Sequence, residues 1–439
     1  MIDICKYAVK AGEKTADEIE AIYTKHVYMG VEAELGTISK ASKVHDEKVR
    51  IRVIKDKALG SSVTYRLDKE HINIAIEKAL AAAKVSKKDE TWDSLPHPGE
   101  YPDVDVWDSA LDNIGSDQLM GPVIDMIQAV PSDIKVSSAF NGVEFSERAC
   151  CNSNGISHED KGALVSSGMA AIGSLDTGVT PEFIKSQYIR KYDVDPHKIA
   201  ESVIKKINLF KNVEPASAGA SQVILAPRNL QALFFFTLSK ILSGENVARG
   251  KSLLTGKEGE KIADSQFTFY DNGIIPEGVF SQEMDDEGVP RQNTLLIENG
   301  VLKGFIWNDY WAKRTGNTST GNAFYKDKAN EMDIQQTTMM IEPGDFSKEE
   351  LFDIKDGYYV LGFQGVHGSN PESGDFSVVC NPAFRIKNGE ITGGVTGMMM
   401  SDNIFSLLKG IDAIGKDTDV VYYGILPHIR FAGVNVAAK

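Results

Sequence analysis

Val49-Arg50-Ile51-Arg52-Val53 places an apolar residue at every second position with a cation between each pair. That period belongs to a strand with one face in a core and the other in polar surroundings. The stretch from Val27 to Arg66 shares the alternation, so two or more antiparallel strands are predicted there. Upstream, Ile4, Ala8, Ala11, Ile19, Ile22 and Tyr23 recur at helical spacing among charges, which predicts one amphipathic helix over Ile2 to Lys25. Downstream, Ile72, Ile76, Ala79, Leu80 and Ala83 share a side of a second helix from Lys69 to Val85. The prolines between Thr91 and Asp105 read as loop, and a third helix is predicted over Ser116 to Ala129.

Strand character returns from Ile134 to Ser174, with hairpin turns predicted at Asn141-Gly142 and Asn154-Gly155. Asp195-Pro196 starts a fourth helix, an N-cap followed by a proline that the first turn tolerates. The small residues between Val213 and Ala220 then read as a linker. Beyond it, Ile297-Glu298-Asn299-Gly300-Val301-Leu302 and Ile386-Lys387-Asn388-Gly389-Glu390-Ile391 are near-copies of one hairpin, each turning on Asn-Gly. The predicted class is α+β in two domains: residues 1–214, helices with an antiparallel sheet, and residues 215–439, richer in strand. A length of 439 residues agrees, since one core rarely serves so long a chain.

The formal net charge of -15 disfavours sequence-independent binding to nucleic acid or anionic lipid. No basic segment precedes an apolar run at the N-terminus, and the apolar stretch around Leu230 to Leu238 is about half of what crosses a bilayer. A soluble protein of cytoplasmic localisation, with no membrane and no nucleic-acid partner, is expected. Four scattered cysteines give neither a disulfide framework nor a CxxC site, and buried small residues are expected at all four.

Chemical motifs are sparse. None of the eight histidines lies one helical turn from another, as a zinc helix requires, which leaves distant singles such as His367, Cys380 and His428 as the remaining metal candidates. Nucleophile-elbow, Walker A and dinucleotide glycine motifs are absent from the sequence. Gly365-Val366-His367-Gly368-Ser369-Asn370-Pro371 reads either as a plain turn or as a loop that cradles a ligand through its N–H groups. Asp285-Asp286-Glu287 lacks the oxygen spacing of a calcium loop and reads as a solvated turn. Thr315 to Asn322 packs hydroxyls and amides between Tyr310-Trp311 and Phe324-Tyr325. Either it hydrogen-bonds an extended peptide, or its side chains satisfy their own backbone.

Several of these turns, taken in order, resemble the TldD/PmbA family, long labelled "modulator of DNA gyrase". They are Asp271-Asn272-Gly273, Gly278, Phe280-Ser281, Asp285-Asp286-Glu287-Gly288-Val289-Pro290, Thr294, Ile297 to Leu302, Trp311-Ala312 and Ser319-Thr320-Gly321-Asn322-Ala323. Gly374-Asp375-Phe376-Ser377 and Ile386 to Ile391 extend the match. The resemblance implies a dimer in which a TldD-type subunit is a zinc peptidase, its ligands lying in H-E-x-x-x-H on a helix and a cysteine near the C-terminus. Aligned from Leu225-Ala226-Pro227, those positions here are Phe235, Phe236 and Lys240, with Tyr423 for the cysteine. Phenylalanine has no donor atom and an ammonium repels a cation, so the chain is similar to the metal-free PmbA or TldE-like half. The resemblance then implies no catalytic residue and no cofactor in this chain, with zinc on a TldD-type partner that activates water against a peptide carbonyl. The implied partners are that zinc-bearing subunit in a heterodimer, or a second copy when the chain is alone, together with an unfolded peptide. Ser319, Thr320, Gly321, Asn322, Gly365, His367 and Gly368 are the candidate peptide-binding residues. A stand-alone peptidase with a diverged site, and a regulator that binds gyrase or another protein, are the alternatives.

Overall fold

The computed structural model describes residues 1–176, 178–326 and 331–438. Two sheets dominate it. The first contains β1 (Glu18–Glu34), β2 (Thr37–Lys55), β3 (Ala58–Thr64), β4 (Ile134–Asn152), β5 (Ser157–Leu175) and β6 (Gly178–Val179), in the order β3-β2-β1-β4-β5-β6. A seventh strand, β7 (Phe183–Ile189), pairs with β5, and every pairing is antiparallel. Its long strands serve two cores. Ile19, Ala21 and Tyr23 at the start of β1 pack under α1 (Ile2–Gly12) and α2 (Lys69–Val85), while Val31 and Ala33 at its end pack with α3 (Ser116–Gln128) and α4 (Pro196–Leu209).

The predicted first helix is therefore half right. It stops at Gly12, where an added Cβ would lie 2.2 Å from the Ile19 side chain, and Glu18 onward is strand. Ile19, Ala21 and Tyr23 alternate on one face and Ile22 fills a pocket on the other, a two-sided burial that mimics helical spacing. Asn141-Gly142 is not a turn either, because both lie within β4. Asn141 is buried, with its Nδ2 donating to Leu119 O at 3.0 Å and to the Tyr192 hydroxyl at 2.7 Å. Gly142 leaves room for the Tyr28 ring, which an added Cβ would approach to 2.9 Å. The second and third helices stand within a residue of their predicted bounds, and the fourth starts at the predicted Pro196.

The second sheet begins with β8 (Glu214–Pro215) and β9 (Gly219–Leu225), so much of the predicted linker is itself strand. In this mixed sheet β9 runs parallel to Asp356–Val360 and antiparallel to Gly424–Ala438. Both Asn-Gly turns are present: Asn299 and Gly300 have φ of 49° and 78°, Asn388 and Gly389 53° and 83°, the left-handed pair a two-residue hairpin needs. All four cysteines are buried and free of disulfides. Among the described residues no helix is long and apolar enough to cross a membrane.

Candidate functional site

Pro227 opens α5 (Pro227–Phe236), where a missing N–H costs nothing. Leu230, Leu233 and Phe234 point into the core. The backbone leaves helical geometry at Thr237, whose hydroxyl donates to Leu233 O at 2.6 Å, and a separate turn follows at Leu238–Ile241. Phe235, on the half-exposed side of α5, stacks on Tyr423 with ring centroids 4.6 Å apart. Tyr423 occupies the tight turn between the strands Ile411–Val421 and Gly424–Ala438. On its other side Phe280 lies nearly parallel, 4.9 Å away.

Phe236 meets Phe235 edge-on at 5.2 Å, and Tyr422 meets Phe280 at 5.1 Å and Tyr188 of β7 at 5.5 Å. Arg190 holds the loop before Phe280, bonding the carbonyls of Pro276, Gly278 and Val279 while also donating to Ala163 O. The result is a fixed aromatic cluster to which both halves of the chain contribute.

Two of the four zinc-aligned positions, Phe235 and Tyr423, thus meet in space and fill it with stacked rings. Lys240 turns elsewhere, its ammonium 3.4 Å from Asp333. A d¹⁰ cation needs thiolate, imidazole or carboxylate donors converging at about 2.0–2.3 Å. Two phenylalanines, a lysine paired to an acid and one phenol do not fit it. His367, Cys380 and His428 are not gathered either. Among the described residues only Asp68, Glu70 and His71 bring three potential ligand atoms together, and Asp68 there caps α2 by accepting from His71 N.

The acidic trio is the largest departure from the sequence reading. Asp285 and Glu287 are 1% and 2% exposed, in a buried network rather than a solvated turn. Asp285 accepts the N–H groups of Glu287, Val289 and Ala323, folding the loop on itself. Glu287 pairs with Arg52 of β2 at 3.0 Å, and Arg52 pairs also with Glu20 of β1 at 2.7 Å. Arg148 of β4 joins Asp160 at 2.6 Å and Asp286 at 3.2 Å and donates to Met284 O. Arg50 donates to Asp286 O and lies 3.5 Å over the Tyr325 ring. These charges clamp the first sheet to the second.

The candidate peptide-binding residues separate into two groups. Gly321 and Asn322 are buried, with Asn322 Nδ2 bonding Asp271 at 2.5 Å and Gln335 O at 3.0 Å, while Gly321 O accepts from Arg291. Thr320 Oγ1 accepts from Trp307 N, and Ser319 Oγ lies 3.3 Å from Trp307 O. In this segment the side chains satisfy the chain's own backbone. Gly365, His367 and Gly368 are exposed around a single 3₁₀ turn, Val366–Gly368. The neighbouring Gly362, Phe363 and Gln364 line a cleft of about 720 Å³ that Tyr188 and Tyr422 also border.

Within that cleft Tyr359 Oη lies 3.0 Å from His428 Nε2. Burial, aided by Lys348 and Lys206 against the opposing pull of Asp419, pushes the imidazole down to about 4. A folded-state value below the ordinary 6.5 means that the unfolded chain protonates first, so stability present above pH 6.5 is lost as pH falls toward 4. The loss attributable to this group is up to about 3 kcal/mol. Urea unfolding of wild type and His428→Gln at pH 7.5 and 4.5 should show the variant losing less on acidification. Parallel losses in the two proteins would remove His428 as the responsible group.

Sequence inspection missed Tyr188, Phe280 and the cleft. Lone aromatics on distant elements leave no periodic signal, and only the Phe280-Ser281 match hinted at the loop.

Comparison with known proteins gives the family. Residues 218–438 match the profile described as "PmbA/TldA metallopeptidase C-terminal domain", and residues 19–83 match "PmbA/TldA metallopeptidase domain 1". The chain belongs to the PmbA/TldD metallopeptidase family. Among solved structures it is similar to TldE from Thermococcus kodakarensis, with a TM-score of 0.95 and 33% identity covering 99% of this chain and 100% of that one. A Metalloprotease PmbA homolog of Haemophilus influenzae is 23% identical over 94% of this chain and 90% of its own. A Zinc metalloprotease TldD homolog of Saccharolobus solfataricus is 31% identical, but over 54% of this chain and 53% of its own.

Proposed function

We propose that this chain is the non-catalytic, TldE-like subunit of a two-chain metallopeptidase. It pairs with a TldD-type chain that carries the zinc, completes the chamber around that site, and helps to hold an unfolded peptide. The observation that carries this reading is the stack of Phe235 on Tyr423, two positions that the resemblance aligns with zinc ligands and whose rings offer a cation no imidazole, carboxylate or thiolate. The extent of the similarities supports it as well: the TldE and PmbA relatives match nearly end to end, the zinc-named relative over about half. In this role the aromatic cluster is a wall, and the charged clamp keeps the two sheets in fixed register while a peptide is held.

The test is metal content and peptide cleavage, measured on this chain alone and after mixing with a TldD-type chain from the same source. The lone chain should be metal-free and inert, and the mixture zinc-loaded and active. Stoichiometric metal together with cleavage by the lone chain would overturn the proposal.

A further inference from the structure

The cleft beside the aromatic cluster lies where β7, α4, the first turn of α5 and the segment Asp419–Tyr422 meet. Lys185, Lys206, Arg228 and Lys348 line it, and none of the four makes an ion pair among the described residues. Only Glu182 and Asp419 oppose them on the lining, and His428 is held neutral near pH 7 by burial. Such a concentration of cations stands out on a chain whose net charge is -15. Gathering like charges around a concave surface is unfavourable unless an anion offsets it, and a cleft focuses that field on whatever enters. Lys206 reports the crowding: burial first, and then Lys185, push its ammonium down to about 8.

A second observation concerns the backbone. β7 pairs with β5 along one edge only, and its other edge has no strand partner among the described residues. Residues 183–186 and Tyr188 line the cleft, and Lys206 Nζ already bonds Ile184 O at 3.3 Å. An unpaired edge is a template for an added strand, with main-chain hydrogen bonds giving affinity and flanking side chains giving selectivity. Tyr188, Phe363 and Tyr422 supply apolar surface along the same wall. A small inorganic anion would satisfy the cations but leave the strand edge, the rings and most of the volume without a partner.

We propose that this cleft binds an extended acidic peptide, its main chain added to the free edge of β7 and its carboxylates set against Lys185, Lys206, Arg228 and Lys348. The inference rests on the peptide-holding part of the proposed function and not on pairing with a zinc-bearing chain. It assigns the substrate a charge class, and it places capture on this subunit.

The experiment uses the full-length chain alone and a fluorescein-labelled short peptide alternating glutamate with valine, followed by anisotropy. A glutamine-for-glutamate peptide should bind at least about tenfold more weakly, the equivalent of one favourable charge contact. The double variant Lys185→Gln, Arg228→Gln should lose about the same factor while keeping the wild-type melting profile, because neither side chain is fully buried. Equal binding of the two peptides, or undiminished binding by the folded double variant, would overturn the proposal. So would inorganic phosphate raising the melting temperature while the acidic peptide fails to bind, which would make the cleft a small-anion site. Metal content and cleavage by the mixed chains are separate readouts, so failure here leaves the subunit proposal standing on its own test.

Discussion

Arg52→Met should destabilise the protein by about 3–5 kcal/mol, the range found when one partner of a buried ion pair is removed. The guanidinium is 7% exposed and is the shared counter-ion of Glu20 and Glu287, themselves 1% and 2% exposed. Burial alone would weaken its charge, but the two carboxylates outweigh burial and hold its pKa above the ordinary arginine value. Methionine keeps the apolar stem and volume while removing the cation that the two acids share and leaving Glu20 only the influence of Arg50, so packing loss is a minor part of the effect. The triple replacement Glu20→Gln, Arg52→Met, Glu287→Gln should recover much of the stability, because no lone charge then remains. Urea unfolding of the two variants decides it. A single variant within about 1 kcal/mol of wild type would show that the pair contributes no more than an exposed one.

Phe234→Ala should cost a similar 3–5 kcal/mol, through a different cause. Its ring is fully buried and meets Phe267 and Phe269 edge-on, with centroids 6.1 and 5.8 Å away. Removing it leaves a cavity that Leu230 and Leu233, on the same rigid helix, cannot close. Phe235, the next residue, faces the aromatic cluster, so Phe235→Leu should be milder, about 1 kcal/mol or less, with stacking lost but volume largely kept. The pair of equilibrium unfolding curves tests whether α5 is anchored through Phe234. Equal costs at the two positions would contradict that assignment.

What could be read beforehand depended on where a residue's partners lie along the chain. The stripe of Ile72, Ile76, Ala79 and Ala83 defines α2 from within itself, and Asn-Gly at 299–300 and 388–389 sets each hairpin from two residues. Ile19, Ile22 and Tyr23 misled because a strand covered on both faces loses its alternation and offers a helical spacing by coincidence. Asp285-Asp286-Glu287 looked solvated because its cations, Arg52 and Arg148, lie more than a hundred residues upstream. Of the candidate site, Phe235 and Tyr423 were paired by family resemblance rather than by any local pattern. The cationic cleft was invisible, since Lys185, Lys206, Arg228 and Lys348 come from four separate segments.

The clamp also bears on autonomy. Each half of the chain has a sheet and one core of its own, the usual requisites of an independently folding unit, but a third core joins Phe183 and Phe210 of the first half to Tyr359, Phe384 and Ile386 of the second. Yet the arginines of one half are paired with acids of the other, so a half produced alone would leave those charges without these partners. Cutting the chain near Ser217 therefore should not yield two soluble pieces. The whole chain should instead unfold in one transition, and a peptide held as proposed would meet a surface whose two sides are tied by those ion pairs.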